Sequence, residues 1–553
     1  MRFSQNKTVE IDFGADRRSP SSQQGKTLVS PSKNGTDEPT ANLTLTSSFI
    51  GSTVASPLAT GFPPRNNQLY SEEKKHEDAD ASLSLSSDAD SMDGFLPLRK
   101  IDSIDTVMMG KSIPSPIEKI SQGASYHSGA QPVAKSEVAH PALLGSLTPP
   151  NPKDRVNFSP GPTGLPKEVM TEVAQSLVSS VTGEGGDGML SAMYLSHRSP
   201  EFTDPNTGIL AHAANSLRRV MSIPDGDGED GYEILFLHGG GHGQFASVPL
   251  NLCKSKDEKG TYLVSGTWSA RAIGEAEKYC TPQVISSITD DGRYLSFPQV
   301  DLNDPAQVDP ESKFVYMCTN ETVNGVEVFD LPTGDDRSPT PLVLDASSDF
   351  TTKPIAWTDA NVGILFACAS KNIGHPGLTA VVIRRDLLDP ALYPSNPACP
   401  GVFHYATQAK AGNLWNTVAT FNVQVVGMMM DWILRNGGVD EMERLSKAKA
   451  ALLYDLIDES HGFYEVPPVA IESRSRMNVP FAVRGNGGGH DEDITERFLI
   501  EAWEEGIVGL RTITPFGVGD YLRASLYNGV NLVDTLRLAD FMKRFMKING
   551  RRP

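Results

Sequence analysis

Residues 362–377 read VGILFACASKNIGHPG. Val362 to Ala369 is a nearly unbroken apolar run of strand length, followed by one lysine and then a glycine-proline turn. A strand covered on one face alternates apolar and polar residues, whereas one covered on both faces reads as a continuous apolar run. Such runs are typical of the mainly parallel sheets of α/β proteins. Lys371 therefore stands at the lip of a buried strand. It reads either as a solvated strand end or as an amine placed for chemistry.

The same signature recurs outward from this stretch. YEILFLHGG (232–240), SKFVYMCTN (312–320), TPLVLDAS (340–347) and LTAVVIRRDLL (378–388) are further apolar runs of strand length. Helical signals lie among them. LPKEVMTEVAQSLVSSV (165–181) has Pro166 in its first turn and Val169, Val173 and Leu177 on one face, and TWSARAIGEAEKY (267–279) is also helical. Strands alternating with helices predict a large α/β domain with a mainly parallel sheet over residues 155–411. From about residue 412 the pattern is more helical. VDEMERLSKAKAALLYDLIDE (439–459), ITERFLIEAWEEG (494–506) and NLVDTLRLADFMKRFMKI (531–548) accompany strand-like SRSRMNVPFAV (473–483) and YLRASLYN (521–528). That predicts a smaller α+β domain over 412–553.

Composition changes near residue 155. Residues 1–154 are rich in Ser, Thr and Pro and contain no Trp or Cys. Stretches such as SEEKKHEDADASLSLSSDADSMD (71–93) show no helical or strand period. This segment reads as a disordered, low-complexity extension, whose serines beside acidic residues are candidate phosphorylation sites.

The 553-residue chain carries a formal net charge of -19, which argues against a general nucleic-acid binder. Its five cysteines, without CxxC spacing, read as reduced thiols, with neither a disulfide framework nor a metal site. The run nearest to a membrane span is VVGMMMDWIL (425–434), which is short and carries Asp431. The first residues lack a secretory apolar segment. These features together predict a cytoplasmic protein with no membrane partner, organellar import being left open.

Three strand ends carry groups of chemical interest. In an open α/β sheet, ligands bind beyond the carboxyl ends of the strands. HGGGHGQFA (238–246) offers glycines and His242 before a helix. It reads either as a phosphate cradle or as an ordinary tight turn. Asp345 closes PLVLD, either as a local turn or cap, or as a partner for a protonated ring nitrogen. Trp268 offers either a core tryptophan or a flat stacking face. Burial of Lys371 disfavours its charged form, and a neutral amine attacks carbonyls. Pyridoxal phosphate has a phosphate, a pyridine nitrogen and an aldehyde, one for each of these features.

Many segments in order carry a resemblance over about 157–550. They include NFSPGPTGLPKEV (157–169), LSHRSPEF (195–202), LFLHGGGHGQFASVPLNL (235–252), GTWSARAIGEAEKY (266–279), TNETVNGVEV (319–328), SKNIGHPGLTAVVIR (370–384), LWNTVATF (414–421), SRSRMNV (473–479) and LRASLYN (522–528). The chain resembles the phosphoserine aminotransferases, which are fold-type-I pyridoxal-phosphate enzymes with a seven-stranded-type sheet. The resemblance implies transamination between 3-phosphohydroxypyruvate and glutamate, giving phosphoserine and 2-oxoglutarate, in serine biosynthesis. It implies that Lys371 carries the cofactor covalently and moves the proton at the substrate Cα. Asp345 would hold the pyridinium charged, Trp268 would stack on the ring and Thr322 would bond the ring oxygen. Gly241 and His242 would meet the cofactor phosphate, with Asn416 and Thr417 reaching it from a second subunit of a homodimer. His197 and Arg198 would meet the distal group of the substrate, and Arg523 its α-carboxylate.

This chain departs from the family pattern in three places. Ser370 stands where Gln is usual, so its contact with the cofactor phosphate is an open expectation. Val418 and Ala419 replace two prolines. The loop TITPFGVGDY (512–521) lacks the usual His-Arg pair, for which Arg484 or His490 of RGNGGGH (484–490) is a possible substitute. The alternatives are a fold-type-I aminotransferase acting on an unphosphorylated amino acid, a cysteine desulfurase, and a non-catalytic scaffold. No cysteine sits on an evident glycine-rich mobile loop, as a desulfurase would need. Joint presence of Lys371, Asp345 and Arg523 opposes the scaffold.

Overall fold

A computed structural model describes residues 155–182, 191–485, 492–510 and 521–550. The extension 1–154 and its serines, His490 and most of the 512–521 loop lie outside the described residues. The central element is a seven-stranded sheet. Its strands are β1 (Tyr232–Leu237), β2 (Lys259–Val264), β3 (Thr281–Ser286), β4 (Ser312–Cys318), β5 (Leu342–Asp345), β6 (Val362–Cys368) and β7 (Thr379–Arg384). Their spatial order is β1-β7-β6-β5-β4-β2-β3. Only β7 runs antiparallel to its neighbours, and the four pairings from β6 across to β3 are parallel.

The continuous apolar runs have a direct cause. Ile234, Phe236, Leu365, Ala367 and Val382 enter one core, packed under helices α1 (Lys167–Thr182), α2 (Ile209–Met221) and α5 (Thr420–Arg435). Their alternating neighbours Leu235, Leu237, Ile364, Phe366 and Val381 enter another. That second core lies under α3 (Gly240–Leu252) and α4 (Thr267–Ala276). The strands are thus buried on both faces in a three-layer α/β/α stack.

A third core gathers residues from α6 (Gly438–Asp458), α7 (Glu492–Glu504) and α8 (Leu532–Asn549) around a small antiparallel sheet. That sheet comprises β8 (Tyr464–Glu465), β9 (Asn478–Val483) and β10 (Leu522–Ser525). Val156 and Phe158 join this core, because Val156–Asn157 pairs in parallel with Ile507–Val508.

The division between the cores differs from the sequence expectation of 412. Helix α5 packs into the first core through Val423, Val425, Val426, Met429, Met430 and Ile433. The change falls inside α6, where Met442 belongs to the first core and Ala450 and Leu453 to the third. The helical pattern after 412 is real, but α5 buries its apolar surface against α2 and the sheet layer. Among the described residues, no helix is long and apolar enough to cross a membrane.

Helices α2 and α5 approach closely at Gly427, where an added Cβ would lie 2.8 Å from His212 Nδ1. His212 Nε2 sits 3.0 Å from Asp431 Oδ2, and Ser216 Oγ donates to Asp431 Oδ1 at 3.0 Å. The hydrogen bond to Asp431 raises the His212 pKa from its ordinary 6.5, against burial and Arg219. Burial alone would raise Asp431, but its bonds from His212 and Ser216, helped by Arg435, bring it below the ordinary 3.8. The histidine contribution is complete below its ordinary pKa and fades as pH climbs through the raised value. The aspartate contribution is complete above its ordinary pKa and fades as pH falls through the lowered value. The Tm advantage of wild type over His212→Gln should therefore shrink as pH rises above the ordinary histidine value of 6.5. An advantage that stays constant over that rise in thermal melts would refute the coupling.

Candidate active site

The strands β1, β2, β4, β5 and β6 point the same way, so their carboxyl ends share one edge of the sheet. In register, Cys318 faces Asp345 and Asp345 faces Phe366. A cavity of about 260 Å³ opens at this edge. Eight predicted residues line it together: Gly241, His242, Trp268, Thr322, Asp345, Ser370, Lys371 and Arg523.

The glycine stretch both turns and starts a helix. Gly239 has φ +99° and an added Cβ would lie 3.1 Å from Gly243 Cα, so a side chain is excluded. Helix α3 begins at Gly240, so its first-turn N–H groups have no acceptor within the helix, and Gly241 and His242 of that turn line the cavity. The Gly241 N–H points at Cys368 Sγ, 2.9 Å away, and Ser347 Oγ donates to the same sulfur at 3.4 Å. The His242 ring meets Trp268 edge-on at 5.7 Å between centroids.

Asp345 is buried at the end of β5. Its Oδ1 accepts from the Ser347 N–H at 3.0 Å, which is the local turn expected of Asp, while Oδ2 receives the Tyr316 hydroxyl at 3.4 Å. Burial raises its pKa, and the bonds from Ser347 and the charge of Lys371 oppose this.

Lys371 lies in the tight connection between β6 and β7, rather than in a strand-to-helix loop. Its Nζ is 3.4 Å from Thr322 Oγ1 and 5.9 Å from the centre of the Trp268 ring. An added Cβ on Gly161 would be 3.4 Å from Lys371 Cγ, so the Pro160–Pro162 segment closes over the lysine stem. The expectation of a neutral amine is corrected here. Burial pulls the Lys371 pKa down, but Tyr527, Cys368, Asp345 and Cys318 together hold it above the ordinary value. A protonated amine must lose its proton before it acts as a nucleophile.

Arg523 is buried, donates from Nη1 to Thr322 O at 2.9 Å, and leaves Nε without a partner. Burial lowers its pKa, with Tyr527 opposing. A buried guanidinium facing a cavity with a spare N–H fits an incoming carboxylate. Residues around its strand are tied to the loops that follow β4 and β6. Asn320 Nδ2 donates to Asn478 Oδ1 at 2.8 Å, and the Asn528 N–H to Asn372 Oδ1 at 3.0 Å.

Other predicted residues lie elsewhere. Arg198 is exposed and His197 partly so; Arg198 Nε contacts His197 Nε2 at 3.3 Å. Asn416 accepts from Gln408 Nε2 at 2.9 Å, and Thr417 O meets His238 Nε2 at 3.0 Å. None of these four lines the cavity. Arg484, a possible substitute for the missing pair, is held by Glu465 at 2.7 Å and stacks over Tyr521, also away from the cavity. Sequence reasoning missed Ser347, Cys368 and Asn320 as lining residues. Cys368 was legible, since it shares the i, i+2 face of Ile364 and Phe366.

The donor set suits a phosphorylated aldehyde cofactor with a basic ring: a glycine helix start for the anion, a buried carboxylate for a ring N–H, and an amine for the carbonyl. Trp268 Nε1 is buried without a partner, so the indole presents a face rather than a hydrogen bond. The pattern of the class-V aminotransferases matches residues 155–531, and the chain belongs to that family. Its relatives place it with the phosphoserine aminotransferases. That of Drosophila melanogaster is 38% identical over 397 residues, covering 71% of this chain and 99% of its own. Phosphoserine aminotransferase 2, chloroplastic, of Arabidopsis thaliana is 36% identical over 70% of this chain and 84% of its own. Among solved structures, phosphoserine aminotransferase from Bacillus circulans subsp. alkalophilus is similar, with 30% identity and a TM-score of 0.62 over 72% of this chain and all of that one. The PLP-bound enzyme from Trichomonas vaginalis is 29% identical with a TM-score of 0.60, covering 70% and 99%.

Proposed function

We propose that this chain is a pyridoxal-phosphate enzyme that exchanges amino and keto groups between 3-phosphohydroxypyruvate and glutamate, giving phosphoserine and 2-oxoglutarate, in serine biosynthesis. The observation that carries this reading is the meeting of Lys371, Asp345 and Arg523 in one cavity, in a chain 38% identical to a phosphoserine aminotransferase. The bound cofactor supplies a carbonyl that holds the amino nitrogen and a ring that takes up the electrons left at the substrate Cα.

The remaining work falls to residues of this chain. Lys371 Nζ removes and returns the proton at the substrate Cα, with Thr322 Oγ1 beside it. Asp345 holds the proton on the ring nitrogen, because a buried carboxylate needs a cation opposite it. Gly241 and His242, at the start of α3, hold the phosphate, and Ser370 also lines the cavity. Trp268 covers one face of the ring. Arg523 grips the α-carboxylate and so fixes Cα against Lys371.

His197, Arg198, Asn416 and Thr417 are outside their own cavity, which supports a homodimer in which these pairs serve the neighbouring subunit. Residence in the cytoplasm belongs to the same reading, although one relative is chloroplastic by name. A second reading, transamination of an unphosphorylated amino acid, is favoured by one observation. Among the described residues, Arg523 is the only arginine lining the cavity. A coupled transaminase assay comparing phosphoserine with serine and alanine separates the two. Our reading predicts a kcat/KM for phosphoserine at least about a hundredfold above the others, because the site's phosphate contacts go unmade without it. Equal or reversed preference would replace it with the second reading.

A further inference from the structure

We propose that Glu321 is a positioning residue, whose buried carboxylate holds the first turn of α4 and thereby sets the Trp268 ring against the bound cofactor. This rests on the reading of Trp268 as the face that meets the cofactor ring.

Glu321 is fully buried beside the cavity, one residue before Thr322. Its Oε2 accepts from the Trp268 N–H at 2.8 Å. Its Oε1 accepts from the Ser269 N–H at 2.8 Å and from Ser269 Oγ at 2.5 Å. Asn324 Oδ1, from the same loop, accepts from the Thr267 N–H at 2.9 Å and from Thr267 Oγ1 at 3.1 Å. The unpaired N–H groups at the start of α4 are thus taken by side chains about fifty residues downstream. Gly266, the residue that precedes α4, offers no side-chain cap of its own. An added Cβ at Gly266 would lie 2.4 Å from Glu321 Cγ and 2.5 Å from Cδ, so the carboxylate occupies the space that glycine leaves.

This contact matters for the indole because nothing else holds its orientation by a hydrogen bond. Trp268 Nε1 has no partner among the described residues. The ring has Arg271 at 5.0 Å, the edge of His242 at 5.7 Å and Lys371 Nζ at 5.9 Å, all contacts that tolerate sliding. The backbone of Trp268 is the fixed point, and Glu321 fixes it. A carboxylate at a helix start also gains from the dipole and from charge-assisted bonds. Burial pushes the Glu321 carboxyl up to about 7, with the donors from Ser269 and Trp268 pulling against it.

The test is cofactor affinity, read by visible absorbance as pyridoxal phosphate is titrated into cofactor-free protein, with near-ultraviolet circular dichroism confirming the fold. Glu321→Ala and Trp268→Ala should each weaken binding about tenfold, the scale of a lost helix cap. The double variant should be no weaker than Trp268→Ala alone, since Glu321 acts through that ring. Glu321→Gln, which keeps the shape and one acceptor, should recover most of the loss. Gly266→Ala, which displaces the carboxylate without removing it, should reproduce Glu321→Ala and serves if that variant does not fold. If Trp268→Ala weakens binding but folded Glu321→Ala or Gly266→Ala does not, the inference falls while the reading of Trp268 stands. Losses that multiply in the double variant also overturn it. Unchanged affinity in Trp268→Ala removes the stacking reading and the inference with it.

Discussion

Replacing Lys371 with alanine is expected to leave a folded protein that still takes up pyridoxal phosphate but turns over at least about a thousandfold more slowly, within the range of a lost general acid-base group. The glycine start of α3, Asp345 and Trp268 do not depend on the lysine side chain, so the variant should retain non-covalent affinity. Its stem packs under Gly161, so some loosening of the Pro160–Pro162 segment should accompany the change. The check is single-turnover kinetics alongside cofactor titration. A variant with wild-type rates would show that another group moves the proton. A variant that loses rate only because it no longer binds cofactor would assign Lys371 to binding alone.

Replacing Asp345 with alanine should be comparably severe for a different reason. The carboxylate is buried, and its pKa is raised by that burial despite the bonds from Ser347 and the charge of Lys371. Such a group is stable as an anion only opposite a cation, which a protonated cofactor ring would provide. Without the carboxylate a bound ring would lose its proton and much of its electron-withdrawing power. The expected result is a fall in kcat of at least about a hundredfold, with a shifted absorbance band for the bound cofactor. Asp345→Asn should be nearly as slow, because the amide preserves shape without charge. Asparagine activity near wild type would show that charge at this position is not needed.

Much of the fold was legible in the sequence because burial on both faces removes alternation from β1, β4, β5, β6 and β7. Strands β2 and β3 were missed. β3 is an edge strand, partly exposed throughout, and its TPQVIS lacks an apolar run. Helix α5 stands out as the most apolar run, and its side chains enter the first core although it follows residue 412. Its apolar surface says that it is covered, not by what. The site was legible where chemistry sits at strand ends, as with Asp345 and Lys371. Glu321 was not, because its partners Trp268 and Ser269 are about fifty residues away, and only the neighbouring strand ends β2 and β4 bring them together. The direction of the Lys371 pKa was not legible for a similar reason, since Tyr527, Asp345 and Cys318 come from distant parts of the chain.

The central claim is that Lys371 is the amine presented to the cofactor carbonyl in a phosphoserine-transaminating site. Borohydride reduction of the holoenzyme, followed by peptide mass spectrometry, tests it most directly. The account predicts a single pyridoxyl-modified peptide bearing the group on Lys371, and loss of labelling when phosphoserine is added in excess before reduction. A label on any other lysine, or none on Lys371 in protein that has bound the cofactor, would contradict it.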